Sequence, residues 1–155
     1  ILTDDVIASL FIKDPKKQNI VEKYVFEKIL EIKGISNAIN LSSNTELFVI
    51  DGVITTLRLE GIKSIDYKFD YNNKTYYCTQ KYIEGSGGAQ DNQFHDVLSF
   101  LKNGHQNKDN NKIFVALVDG DYFINKSKAL ILSKYNTSNC IICSIFELGN
   151  ILSDK

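Results

Sequence analysis

With 155 residues, of which 43% are apolar, 24% charged and 11% aromatic, the chain carries enough apolar material for one sizeable core. Nine Phe, eight Tyr and a single Pro exclude a disordered tail or a linker. A formal net charge of −1, with Arg58 the one arginine among 18 basic residues, gives no compositional support for a phosphate-binding surface. Any nucleic-acid contact must then use lysines, backbone amides or a separate basic domain. The apolar runs, such as residues 113–118, fall short of the ~20 needed to cross a bilayer, and the first residues lack a basic n-region, so no membrane span or secretion signal is expected. Three cysteines, an odd number, suit reduced thiols in a cytoplasmic protein. Met is absent even at position 1, and we expect a single domain over residues 1–155 that is a piece of a longer product.

In chain order, Asp14 and Pro15 followed by Val21, Val25, Ile29 and Ile32 predict a helix over about 15–33, capped by Asp14 and stopped at Gly34. After a polar stretch, residues 46–50 and 53–57 flank Asp51-Gly52, a dipeptide favoured in two-residue hairpin turns. Residues 64–71 and 75–83, rich in alternating Tyr, Ile and Thr, form a second hairpin around 72–74. The segment 84–88 breaks that strand, and Phe94, Val97, Leu98 and Leu101 then fall at helical spacing over about 89–102. A polar loop over 103–111 leads to the strand 113–118, a helix near 125–135, a strand over 140–145 and a terminal helical turn. Strand, helix, strand implies a right-handed parallel crossover. The fold class is mixed α/β, with an antiparallel hairpin first, parallel strands after, and helices on the sheet.

Several motifs have plain readings. The turn Gly85-Ser86-Gly87-Gly88 stands between strand and helix, where backbone N–H groups meet a phosphate, yet Gln90 occupies the place where a dinucleotide fingerprint requires Gly or Ala. Asp119-Gly120-Asp121 after an apolar strand has the form of the D-x-D of aspartate-dependent phosphatases, without its downstream Thr. Cys140 and Cys143 have a CxxC spacing inside an apolar strand, which reads as buried thiols. His95 and His105 have no companion carboxylate at a diagnostic spacing, and the elbow, zincin and P-loop motifs are missing.

One constellation remains on the second hairpin. Asp66 lies on its first strand, while Thr79 and Lys81, two apart on the second, point to one face. A carboxylate there suits a hard divalent cation, and a neighbouring ammonium can stabilise charge building on a phosphate. An exposed hairpin with one charge of each sign is the plainer alternative.

A helix carrying Glu22, Asp66 on one strand, Thr79-Gln80-Lys81 on the next, a Gly-rich bend into a helix, and then strand, helix, strand resembles the PD-(D/E)xK nuclease superfamily. Residues 114–123 with the Lys-bearing helix after them, and Asn139-Cys140, also resemble the cleavage domain of FokI-type restriction enzymes. The similarity runs over about residues 15–152. It implies a restriction-endonuclease-like fold and Mg²⁺-dependent cleavage of double-stranded DNA by a type II restriction endonuclease domain. By this resemblance Asp66 is the metal ligand, Lys81 orients or activates the attacking water, Thr79 marks the second ligand, and Glu22 is an accessory acid. The same resemblance turns Ser86, Gly87, Gly88, Gln90, Asn92 and Gln93 towards DNA and calls for a homodimer or paired subunit, since one such site cuts one strand. Thr79 departs from the Asp or Glu of the family, which leaves an inactive subunit, an engineered change, or replacement by Glu84 or Glu22. Two other functions stay open: a non-catalytic DNA-binding subunit, and a small phosphatase-like domain using Asp119 and Asp121.

Overall fold

The computed structural model describes residues 15–43, 45–85, 88–124 and 126–154, and Asp14 lies outside them. Helix α1 runs over Pro15–Glu31 and turns out at Gly34, whose φ of +96° is the left-handed geometry that favours glycine at a helix end. Strand β1 (Ser36–Asn40) follows, in a stretch that sequence reading leaves as a polar connection. The hairpin β2 (Phe48–Ile50) and β3 (Val53–Thr55) turns at Asp51-Gly52, with φ of +51° and +85°, as expected for a two-residue turn with both centres left-handed. The second hairpin, β4 (Tyr67–Tyr71) and β5 (Lys74–Tyr82), uses the same device at Asn72-Asn73, φ +51° and +65°.

Helix α2 spans Gly88–His105, β6 Lys112–Asp119, α3 Lys126–Ser133, β7 Cys140–Cys143 and α4 Ile145–Ser153. The chain is therefore mixed α/β, with a five-stranded sheet in the order β1-β4-β5-β6-β7, a separate two-stranded sheet, and flanking helices. Strands β1, β4 and β5 pair antiparallel, and β5, β6 and β7 pair parallel. The interior strand β6 is an almost unbroken apolar run, as suits a strand with both faces covered. Ile113, Val115 and Leu117 face one core with Val21, Val25 and Ile29 of α1 and Leu148 and Leu152 of α4. Phe114 and Ala116 face the other, with Phe94, Val97 and Leu101 of α2 and Leu132 of α3.

The terminal segment is a full helix rather than one turn. Ser144 caps it: its hydroxyl accepts from the Phe146 N–H, and the Glu147 carboxylate returns to the Ser144 N–H at 2.9 Å. Helix α2 also runs past its expected end at 102, since Asn103 donates to the Ser99 carbonyl at 2.8 Å and Gly104 lies flat on Phe114, where a Cβ would come within 2.7 Å of the ring. Among the described residues no helix is long and apolar enough to cross a membrane.

Candidate active site at the end of the second hairpin

Asp66 lies one residue before β4, and its N–H donates to the Cys78 carbonyl at 2.9 Å, so the backbone pairing of the hairpin carries on past the strand end. On β5 the side chains alternate. Tyr76 and Cys78 belong to the core under α1, while Tyr77 belongs to the core under α2. That period puts Thr79 and Lys81 on the α2 side, and together with Asp66 they line a cavity of about 140 Å³. The same-face placement expected from the alternation is what the fold produces.

The Asp66 carboxylate is held at one oxygen. Oδ2 accepts from the Gln80 N–H at 2.8 Å and from the Thr79 hydroxyl at 3.4 Å. Burial dominates its acidity and pushes its pKa up to about 6, with the field of Glu22 adding to the rise and the Gln80 N–H, the Lys81 ammonium and the Thr79 hydroxyl opposing it. Glu22, on the other side of the sheet, is also shifted upward by burial and pulled back by Lys81. Tyr67 ties the middle of α1 to β4, since its hydroxyl donates to the Glu22 carbonyl at 2.9 Å. Two carboxylates from two layers thus share the field of one ammonium. Thr79 is itself only 7% exposed, so its hydroxyl serves Asp66 rather than solvent.

The remaining expected site residues are more scattered. Ser86 and Gly87 lie outside the described residues. Gly88 opens α2, Asn92 is exposed, and Gln93 is half-buried. Gln90 reaches back to the Glu84 carbonyl at 3.4 Å. Asp91 sits in the same first turn, bonded to the Tyr122 hydroxyl and 4.0 Å from the Lys128 ammonium, so this helix start carries a carboxylate of its own. Glu84, a candidate to replace the acid missing at 79, is bonded to the Tyr82 hydroxyl. Tyr82 lines the opposite cleft, and Glu84 does not line the cavity around Asp66.

That second cleft, about 730 Å³, lies at the C-terminal ends of the parallel strands and contains Asp119 and Asp121. Both carboxylates hold the fold together there. Asp119 accepts from the Ser144 hydroxyl at 2.6 Å and the Ile145 N–H at 3.4 Å, and Asp121 accepts from the Gly85 N–H at 2.7 Å. Cys78, Cys140 and Cys143 are buried free thiols whose pKa values burial raises, the last two to about 11 and about 12.

Sequence reasoning missed the residues that close the small cavity from above: Asp96, Ser99, Phe100 and Asn103 of α2, and the loop 61–64. Their spacing of i, i+3, i+4 and i+7 is a helix face, visible in the sequence, but its position over Asp66 depends on how α2 crosses the sheet. Among the described residues no three His, Cys, Asp or Glu side chains form a preassembled metal group.

No family model matches the chain, and no curated protein matches it. Similarity to a solved structure is found with the crystal structure of protein VC1899 from Vibrio cholerae, at 12% identity and a TM-score of 0.43. The match covers 92% of this chain and 35% of that one, so the chain spans about a third of the length of the protein it matches.

Proposed function

We propose that the chain is a restriction-endonuclease-like domain of the PD-(D/E)xK kind, the Mg²⁺-dependent DNA endonuclease domain of a type II restriction enzyme. The observation that supports this reading most is that Asp66 and Lys81 line one cavity although they come from a strand end and a neighbouring strand, with Glu22 of α1 close enough for its charge to act on Asp66. Carboxylates with raised pKa values beside a cation cluster at functional sites.

The donor set fits magnesium of the sparsely ligated type. Mg²⁺ is commonly held by one or two carboxylates, with waters and substrate phosphate completing the shell. Asp66 would supply one carboxylate, Glu22 would be the accessory acid whose field reaches it, and the Thr79 hydroxyl adds no anion. When bound, the cation polarises phosphoryl oxygen and makes its water more acidic. The chain's own residues do the rest. The Gln80 N–H and Thr79 hydroxyl fix Asp66 Oδ2 before substrate arrives, and the Lys81 ammonium offsets negative charge as it builds on the scissile phosphate. Double-stranded DNA would run past the start of α2, with the amides near 86–88 on phosphate and Gln90, Asn92 and Gln93 towards a groove. Two copies, or a paired subunit, would cut the two strands in the cytoplasm.

A second reading, a DNA-binding subunit that keeps the nuclease fold without cutting, is favoured by the buried hydroxyl of Thr79 where the superfamily carries an acid. Supercoiled plasmid with Mg²⁺ or Mn²⁺ separates the two. The expected result is nicking by the chain as it stands, reduced at least ~10³-fold, about 4 kcal/mol, in Asp66→Asn. Cutting by Thr79→Glu alone would make the present chain the binding subunit, and no cutting by either form at any metal concentration would remove the catalytic reading.

A further inference from the structure

We propose that Tyr67 is a positioning residue for this site: its hydroxyl holds α1 at Glu22, in the register that keeps the Glu22 carboxylate within reach of Asp66 and Lys81. This rests on the nuclease reading above and goes further by naming a residue that neither the motif nor the resemblance contains. Asp66 lines the cavity under α2, whereas Tyr67 beside it belongs to the core under α1. One dipeptide at the start of β4 therefore reaches into both of the layers that have to be brought into line.

Tyr67 meets α1 at two points one turn apart. Its hydroxyl donates to the Glu22 carbonyl at 2.9 Å, and its ring stacks on Phe26 with centroids 5.8 Å apart and planes 19° from parallel. A carbonyl has two lone pairs, so one inside a helix can serve the helix and still accept a second donor. Val21, Val25 and Ile29 also press α1 onto the sheet, but apolar contact is non-directional and constrains sliding and rotation less sharply than a directed bond. Tyr67 is 1% exposed, so its hydroxyl has no solvent to turn to and breaking the bond leaves a buried donor unpaired. The bond falls on residue 22 itself, whose half-buried side chain is the one that senses Lys81 and acts on Asp66. Misplacing a group at a reacting centre by about 1 Å is enough to slow catalysis severely, and a tie at the acid's own backbone prevents that.

Plasmid nicking in a double-mutant cycle tests the assignment. Tyr67→Phe keeps the ring and its stack and removes only the hydroxyl. It is expected to lower kcat about tenfold with KM for plasmid unchanged, whereas in a Glu22→Gln background the same change should cost less than about twofold, because no charge is left there to misplace. A bond that served structure alone would cost the same in both backgrounds. Equal losses in the two backgrounds, or full activity of Tyr67→Phe, alongside loss of nicking in Asp66→Asn, would overturn the role of Tyr67 and leave the nuclease reading standing. Equal nicking by wild type and Asp66→Asn, or none by wild type, would overturn both. If Tyr67→Phe fails to fold, Glu22→Asp decides: on a backbone that is held, a carboxylate one methylene shorter should lose as much activity as Glu22→Gln, and wild-type nicking by Glu22→Asp would overturn the assignment.

Discussion

Asp66 and Asp119 stand at strand ends of one sheet, two strands apart, and the fold treats them in opposite ways. Asp119 receives the Ser144 hydroxyl on one oxygen and the Ile145 N–H on the other, and so anchors the first turn of α4 to the end of β6. Asp66 receives both of its donors on one oxygen and is buried deeply enough that its pKa rises to about 6. A carboxylate that exists to hold structure is given donors until its charge is offset. One left partly uncompensated in a cavity, beside a lysine, costs stability and gains reactivity, the trade expected of a working site.

The comparison breaks most severely if Asp119 proves dispensable. Removing its carboxylate in Asp119→Ala leaves the Ser144 hydroxyl and the Ile145 N–H without their acceptor at a helix start, and we expect a loss of about 3 kcal/mol in urea unfolding. Cleavage per folded molecule should stay at the wild-type level. A large fall in cleavage with unchanged stability would reverse the roles assigned to the two carboxylates and bring the phosphatase-like alternative back.

The next effect concerns pH and has the opposite sign. The pKa of Asp66 rises from 3.8 to about 6 on folding, so between those values the folded chain keeps a proton that the unfolded chain has released. Stability from this group is then present below about pH 4 and is lost as pH climbs through 6, by about 3 kcal/mol. Asp66→Asn does not ionise. Urea titrations should find the variant equal to wild type at pH 4 and more stable by that amount at pH 7.5, while it cuts no DNA. Stability curves that run parallel across this range would mean that Asp66 is solvated and ordinary.

How far the site could be read from the chain depends on the range of the forces that build it. The hairpins were legible because Asp51-Gly52 and Asn72-Asn73 carry their turn geometry locally, and the alternation along β5 then fixes which face Thr79 and Lys81 share. Strand β1 was not legible: Ser36–Asn40 is an edge segment without apolar alternation, and its register against β4 slips between Ser36 and Ile39. That the charge of Glu22 reaches Asp66 came only with the family resemblance, and that α2 roofs the Asp66 cavity not at all, since each depends on a helix crossing the sheet at a particular angle. The length of α4, by contrast, had a local signal that went unused, the Ser144-x-x-Glu147 capping box.

That box supplies the smallest and most local test of the comparison. Ser144 works in two directions: its hydroxyl accepts from the Phe146 N–H at 3.2 Å and donates to Asp119 at 2.6 Å. Ser144→Ala removes both bonds but leaves Asp119 its bond from Ile145, so the loss should be about 1 kcal/mol, the ordinary worth of a helix cap and well under that of Asp119→Ala. Because the two residues share one bond, the double variant should lose less than the sum of the single losses. Strict additivity in urea would mean that Asp119 holds α4 through the backbone alone. Losses that overlap would establish the Ser144–Asp119 pair as the clasp that fixes α4 to β6, the structural counterpart to the loosely held carboxylate at the end of the second hairpin.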